Sequence, residues 1–134
     1  MTDPQTKQCP FCPPKEREIL ETHALAVAIS DSFPLTPGHA LVVPRRHVAS
    51  FFELTAEERL AILELLDRAK AVLDRKYAPD AYNIGINDGA AAGQTVMHVH
   101  VHLIPRYTGD HPRPQGGVRQ IIPWKADYPR GPRE

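Results

Sequence analysis

Three histidines alternate along one short stretch of the chain, at His98, His100 and His102. That period of two predicts a strand with all three imidazoles on one face, roughly 6–7 Å apart. A neutral imidazole is a competent nucleophile near neutral pH and can form a covalent intermediate. Attack on phosphorus asks little more than in-line positioning and neutralisation of charge on the equatorial oxygens. A central histidine flanked by donors meets both needs, so His100 is expected to attack a phosphorus atom. Just upstream, Gly93, Gln94 and Thr95 offer backbone N–H groups, an amide and a hydroxyl suited to phosphate oxygens. Two other readings of the triad stand beside this one. It is a polar sheet face rich in histidine, or it is a metal site that needs further ligands from elsewhere to close a tetrahedron.

Cys9 and Cys12 are too few and too close for a disulfide framework. In a reducing compartment their Cys-x-x-Cys spacing points to metal or redox chemistry, or to two unligated thiols. A thioredoxin-like role lacks the βαβ pattern that accompanies it.

These groups need elements to hold them. The longest periodic segment, residues 55–77, predicts a helix with Thr55 as N-cap and Glu58 as its capping-box partner. Its stripe is read as Leu60, Leu63, Leu66 or Asp67, Ala69 or Lys70, and Leu73, widened by Ile62, Leu65 and Val72. Strands are expected over 24–30, 39–44, 82–87 and 96–105, with loops over 31–38 and 88–93. Residues 1–18 read as an irregular arm with a helical tendency near 15–20. A short apolar piece, 118–124, has no clear period. Antiparallel strands with one main helix make an α+β domain.

The 134 residues suit one domain with no internal repeat, and 42% apolar against 24% charged content is ordinary for a globular protein. A formal net charge of +0 provides no broad field toward nucleic acid or anionic membrane, so neither is expected as a partner. The polar N-terminus lacks the apolar core of a signal peptide, and no apolar run approaches the ~20 residues that span a bilayer. A cytoplasmic protein is expected. The 14 prolines gather in 9–14 and 105–132, which should be loops and extended segments.

Residues 92–106, Ala-Gly-Gln-Thr-Val-Met-His-Val-His-Val-His-Leu-Ile-Pro-Arg, resemble the signature of the histidine triad (HIT) superfamily. The likeness is to its branch of fragile histidine triad and bacterial diadenosine polyphosphate hydrolase-like proteins. A second block, Asp-Ser-Phe-Pro-Leu-Thr-Pro-Gly-His-Ala-Leu-Val-Val-Pro-Arg-Arg-His over 31–47, resembles the same family, and the likeness covers roughly 9–110. It implies an antiparallel sheet of about five strands with one long helix and a short second helix. It also implies a nucleotide monophosphate pocket and a nucleotidyl-histidine intermediate. By position, His100 matches the nucleophile and His102 a phosphate-contacting histidine. His39 matches the histidine that packs behind the nucleophile and orients it. Asp31 matches the residue holding the ribose hydroxyls, though alone it reads as a loop cap. Asn87 matches the amide near the α-phosphate, though alone it reads as a turn former. Gly93, Gln94, Thr95 and Val96 match the phosphate loop.

Zinc-bearing members join a Cys-x-x-Cys to two histidines. Cys9, Cys12, His47 and His98 complete that set here, implying a structural zinc that pins the arm. Residues 1–112 would then form the domain with its zinc arm, and 113–134 a Pro/Gly-rich tail serving as a lid or dimer element. Arg106, Arg113 and Arg119 are candidates for a second phosphate, although Arg113 reads more simply as solvated. By resemblance the protein is a homodimer whose sheet continues across a two-fold axis. The substrate it implies contains AMP, as a diadenosine polyphosphate. The alternatives are an adenosine phosphoramidate, a slow AMP-binding sensor or interaction module, and a zinc module with the triad as ligands.

Overall fold

In the computed structural model, residues 8–128 are described, and the rest of the polar N-terminal stretch and the tail's end, 129–134, lie outside them. Five strands form one antiparallel sheet. They are β1 (Ile19–Thr22), β2 (Ala26–Ser30), β3 (Ala40–Pro44), β4 (Ala81–Ile86) and β5 (Val101–Arg106), in the order β1-β2-β3-β5-β4. One long helix, α1 (Ala56–Tyr77), crosses one face. The architecture is the α+β arrangement expected, with one correction. The short second helix is replaced by single 3₁₀ turns such as Gly117–Ile121 and Pro123–Lys125.

The capping box predicted for α1 is present: Thr55 Oγ1 accepts from Glu58 N–H, and the Glu58 carboxylate accepts from Thr55 N–H. Its buried face, however, runs through Glu58, Ala61, Ile62, Leu65, Ala69 and Leu73, while Leu60 and Leu63 are exposed. Beneath it lie Ala26, Ala28, Ala40, Val42, Val101 and Leu103, the alanines allowing close approach of helix and sheet. The opposite face carries Val27, Ile29, Leu41 and Val43, covered by Cys9 and Phe11 of the arm.

β1 is absent from the sequence reading. The helical tendency over 15–20 amounts to one turn, Glu16–Glu18, after which the chain pairs with β2. Cross-strand pairing here overrides local propensity. A larger correction concerns 96–105. The strand begins only at Val101, where it pairs with Val42, and residues 96–100 leave the ladder. Pro44 explains the break: the ladder would next reach its ring nitrogen, which has no hydrogen to donate. Instead Val99 N–H donates to Val48 O at 2.8 Å, and His98 turns inward to bond Pro44 O. Of the three histidines only His102 therefore lies on the strand, while His98 and His100 come from the segment before it.

The loop between β2 and β3 is anchored from below. Thr36 Oγ1 donates to Pro105 O and the Tyr107 hydroxyl to Pro37 O. Gly38 sits at φ +90°, and a Cβ there would lie 2.9 Å from the Tyr77 ring, so only glycine delivers His39 to the start of β3. Among the described residues no helix is long and apolar enough to cross a membrane.

Candidate active site and metal-ligating cluster

His102 lies on β5 opposite Leu41, so its ring stands on the sheet face away from α1. His100 precedes that strand, with its ring centroid 5.2 Å from that of His102. His100 Nδ1 donates to the backbone carbonyl of His98 at 2.9 Å, an acceptor that has no proton to share. The neutral ring therefore carries its lone pair on Nε2.

A second chain of bonds sets the next two rings. Leu35 N–H donates to His39 Nδ1 at 3.0 Å, so that nitrogen is unprotonated. His39 is then neutral with its proton on Nε2, and it donates to His102 Nδ1 at 2.9 Å. His102 in turn holds its proton on Nε2. Burial lowers His39 below the ordinary histidine range, and burial with the nearby His100 and His39 rings pushes His102 down to about 4. His39 thus bonds the triad at His102 and not behind His100, whose Nδ1 is held by the His98 carbonyl.

Asp31 reaches the same pocket. Its Oδ1 accepts from Phe33 N–H at 2.8 Å, the loop-capping role, while Oδ2 lies 3.4 Å from His39 Nε2. Asp31, His39 and His102 are close enough together to suggest a cation site. The bonding excludes it: the one lone pair of neutral His39 is already taken by Leu35 N–H.

The Gly-Gln-Thr loop is built differently from its expected use. Gln94 is only 5% exposed, and its amide nitrogen donates to Ala49 O and Val96 O while its oxygen accepts from Gly89 N–H. Both amide hydrogens and one lone pair of the oxygen are thus engaged within the fold, and the side chain shapes the loop. Gly93 turns the chain at φ +94°, with the Asn87 amide beside it, and Val96 packs on the site face of the sheet. Thr95 is exposed. The arginines proposed for a second phosphate are engaged. Arg106 grips Asp110 and Asn83, Arg113 pairs with Asp127, and Arg119 donates to the Ala126 and Lys125 carbonyls.

The other expected set is assembled. Ligand atoms of Cys9, Cys12, His47 and His98 lie within 4.8 Å of one another. His98 Nδ1 is 3.2 Å from His47 Nδ1, 3.2 Å from Cys12 Sγ and 3.4 Å from Cys9 Sγ, and Cys12 Sγ is 3.2 Å from His47 Nδ1. A tetrahedral ion with zinc's bond lengths separates two nitrogens by about 3.3 Å and sulfur from nitrogen by about 3.5 Å. The cluster fits those edges closely. His98 Nε2–H donates to Pro44 O at 2.7 Å, leaving the Nδ1 lone pair facing the cluster, as a backbone carbonyl behind a ligating histidine does. So His98 belongs to this cluster, apart from His100 and His102, and the triad does not act as a set of three ligands.

Sequence reasoning missed Phe11, whose ring packs against both His98 and His100. The available signal was its place between the two cysteines: fixing them fixes it.

The HIT domain family model matches residues 14–109. Over 86 residues the chain is 42% identical to the asymmetrical bis(5'-nucleosyl)-tetraphosphatase of Schizosaccharomyces pombe, covering 64% of this chain and 47% of that protein. Over 94 residues it is 38% identical to the bifunctional bis(5'-adenosyl)-triphosphatase/adenylylsulfatase of Arabidopsis thaliana, covering 70% of this chain and 52% of that one. The chain thus spans about half the length of these curated relatives. Among solved structures, a Zn-bound histidine triad family protein from Mycobacterium smegmatis superposes with a TM-score of 0.71 at 30% identity, over 81% of each chain.

Proposed function

This chain belongs to the HIT domain family, and from that premise we propose that it hydrolyses diadenosine polyphosphates through a nucleotidyl-histidine intermediate on His100. The observation that carries the reading is the free lone pair on His100 Nε2, fixed by the bond from Nδ1 to His98 O. That lone pair attacks the phosphorus next to the nucleoside. The N–P bond forms as the P–O bond to the departing nucleotide breaks, and the leaving oxygen keeps the electron pair. His102 Nε2–H donates to a non-bridging oxygen of that phosphate. Water then attacks the phosphorus, the P–N bond breaks, and nucleoside monophosphate leaves with His100 restored. The Asn87 amide and the backbone of Gly93, Thr95 and Val96 line the phosphate, and the second oxygen of Asp31 accepts from the ribose hydroxyls.

The names of the Schizosaccharomyces and Arabidopsis relatives favour dinucleoside polyphosphates as substrates. The same attack serves an adenosine phosphoramidate, so both substrates belong in the test, with products resolved. His100→Asn is expected to abolish turnover of the preferred one, and unchanged turnover would sink the assignment. Tight AMP binding with no hydrolysis of either substrate would make the protein a nucleotide sensor instead.

We further propose a structural zinc held by Cys9, Cys12, His47 and His98, supported by the cluster's fit and by the Zn-bound neighbour. Bound there, it cross-links the arm to the segment carrying the triad. Cys9→Ser should lose zinc by metal analysis; full occupancy in that variant would refute the ligand set. Two cysteines outside any disulfide suit a reducing compartment such as the cytoplasm, and we infer a two-fold homodimer.

A further inference from the structure

The metal-ligating cluster and the nucleophile share a peptide and a ring. His98 offers Nδ1 to the cluster, while its own carbonyl accepts from His100 Nδ1. Phe11 also contacts the His100 ring. Its centroid is 5.4 Å from that of His100 in a tilted arrangement, and 5.6 Å from that of His98, edge to face. Phe11 stands between the two cysteines, and its N–H points at Cys9 Sγ, 3.4 Å away.

The described residues before Glu16 form neither helix nor strand. The position of Phe11 is therefore set by Cys9 and Cys12 on either side and by Val27, Ile29, Leu41 and Val43 beneath it. A single hydrogen bond fixes one nitrogen of His100 but does not stop the ring from turning about its Cβ–Cγ bond. A half-turn would replace Nδ1 by a carbon at the His98 carbonyl and move Nε2 off line. An aromatic ring packed against the imidazole blocks that rotation, and aromatic pairs at this separation have a preferred geometry.

We propose that Phe11 is a positioning residue for His100. Held by the closed Cys9–Cys12 knuckle, its ring keeps the imidazole in the orientation where Nδ1 meets the His98 carbonyl and Nε2 faces the substrate phosphorus. This rests on the reading of His100 as nucleophile. It makes the arm part of the catalytic apparatus as well as a cover for the sheet.

Phe11→Leu keeps apolar volume and loses the flat ring; Phe11→Tyr keeps the ring. Each variant is assayed for zinc content, for kcat and KM on a diadenosine polyphosphate, and for the ¹⁵N shifts of the His100 ring. Phe11→Leu should hold zinc at the wild-type stoichiometry, keep KM within about twofold and lose about tenfold in kcat, as misaligned reacting groups do. Its His100 shifts should move from the Nδ1–H pattern toward an average of two tautomers. Phe11→Tyr should restore both kcat and the shift pattern. The proposal is overturned if Phe11→Leu keeps its zinc with kcat and shifts unchanged. It is equally overturned if the loss of kcat follows a loss of zinc and is reversed by adding the metal, because the ring is then only a plug. Should the wild-type protein not hydrolyse the substrate, the functional reading fails alone, since the His100 shifts still decide the role of Phe11.

Discussion

The protons on three rings are set by groups that cannot titrate. Leu35 N–H and the His98 carbonyl are backbone groups, and each forces one tautomer on the ring it touches. The consequence for stability is sharpest at His102, which burial pushes down to about 4 from 6.5. In the unfolded chain the ring takes up its proton near its ordinary value, so between about 4 and 6.5 the unfolded state binds more protons. Stability from this ring is then complete above 6.5 and is lost as the pH falls toward 4. His102→Asn should flatten that dependence, the melting midpoint falling by a few degrees less than in the wild type between about pH 7 and pH 5. Equal slopes for the two proteins would contradict a neutral, half-buried His102. The triad as residues was legible in the sequence. Its division was not legible from alternation alone, because alternation predicts one face. Separating His98 took the resemblance to zinc-bearing relatives, and the physical cause is a proline on a neighbouring strand.

At the scale of elements, α1 announced itself through Thr55 and Glu58, a local signal that needs no tertiary partner. β1 did not, because four residues of ordinary propensity become a strand only by pairing with β2. The loop between β4 and β5 lies between these cases. Its glycine and glutamine were conspicuous, yet the job of Gln94 was hidden, since the carbonyls it bonds come from Ala49 and Val96. Removing that side chain strands buried polar groups. Gln94→Ala should cost about 2–3 kcal/mol, read from the urea midpoint, with KM changing only as the loop loosens. A raised KM with an unchanged urea midpoint would return Gln94 to direct contact with the ligand. The bonds of Asp88 to Ser50 Oγ and Phe51 N–H brace the same loop from the turn before α1. The backbone of this loop, which we propose lines the phosphate, is therefore held by elements distant in sequence, which is why its motif alone could not describe it.

At the scale of the molecule, the helix stripe read from periodicity mixed two faces. Ile62, Leu65 and Leu73 are buried, while Leu60 is 65% and Leu63 59% exposed. A stripe wide enough to cover both sides gives a single chain no means of telling core from contact surface. The sheet repeats the pattern. β4 is an edge strand, and its Ile84 and Ile86, of the same parity as the core-packed Tyr82, remain 53% and 37% exposed. Among the described residues no strand pairs with the outer edge of β4, and such an edge beside exposed isoleucines invites another strand. Ile84 and Ile86 stand on the face of the sheet that α1 packs against, so pairing β4 with its symmetry mate would bury those isoleucines in one isologous contact. Wild-type protein should therefore elute and scatter light with a mass of twice 14.9 kDa. Ile84→Lys puts a charge at that seam and should shift the mass to 14.9 kDa, with zinc content unchanged because the cluster lies on the opposite face. A wild-type protein that is monomeric at all concentrations, or an Ile84→Lys variant that still pairs, would remove β4 from the interface.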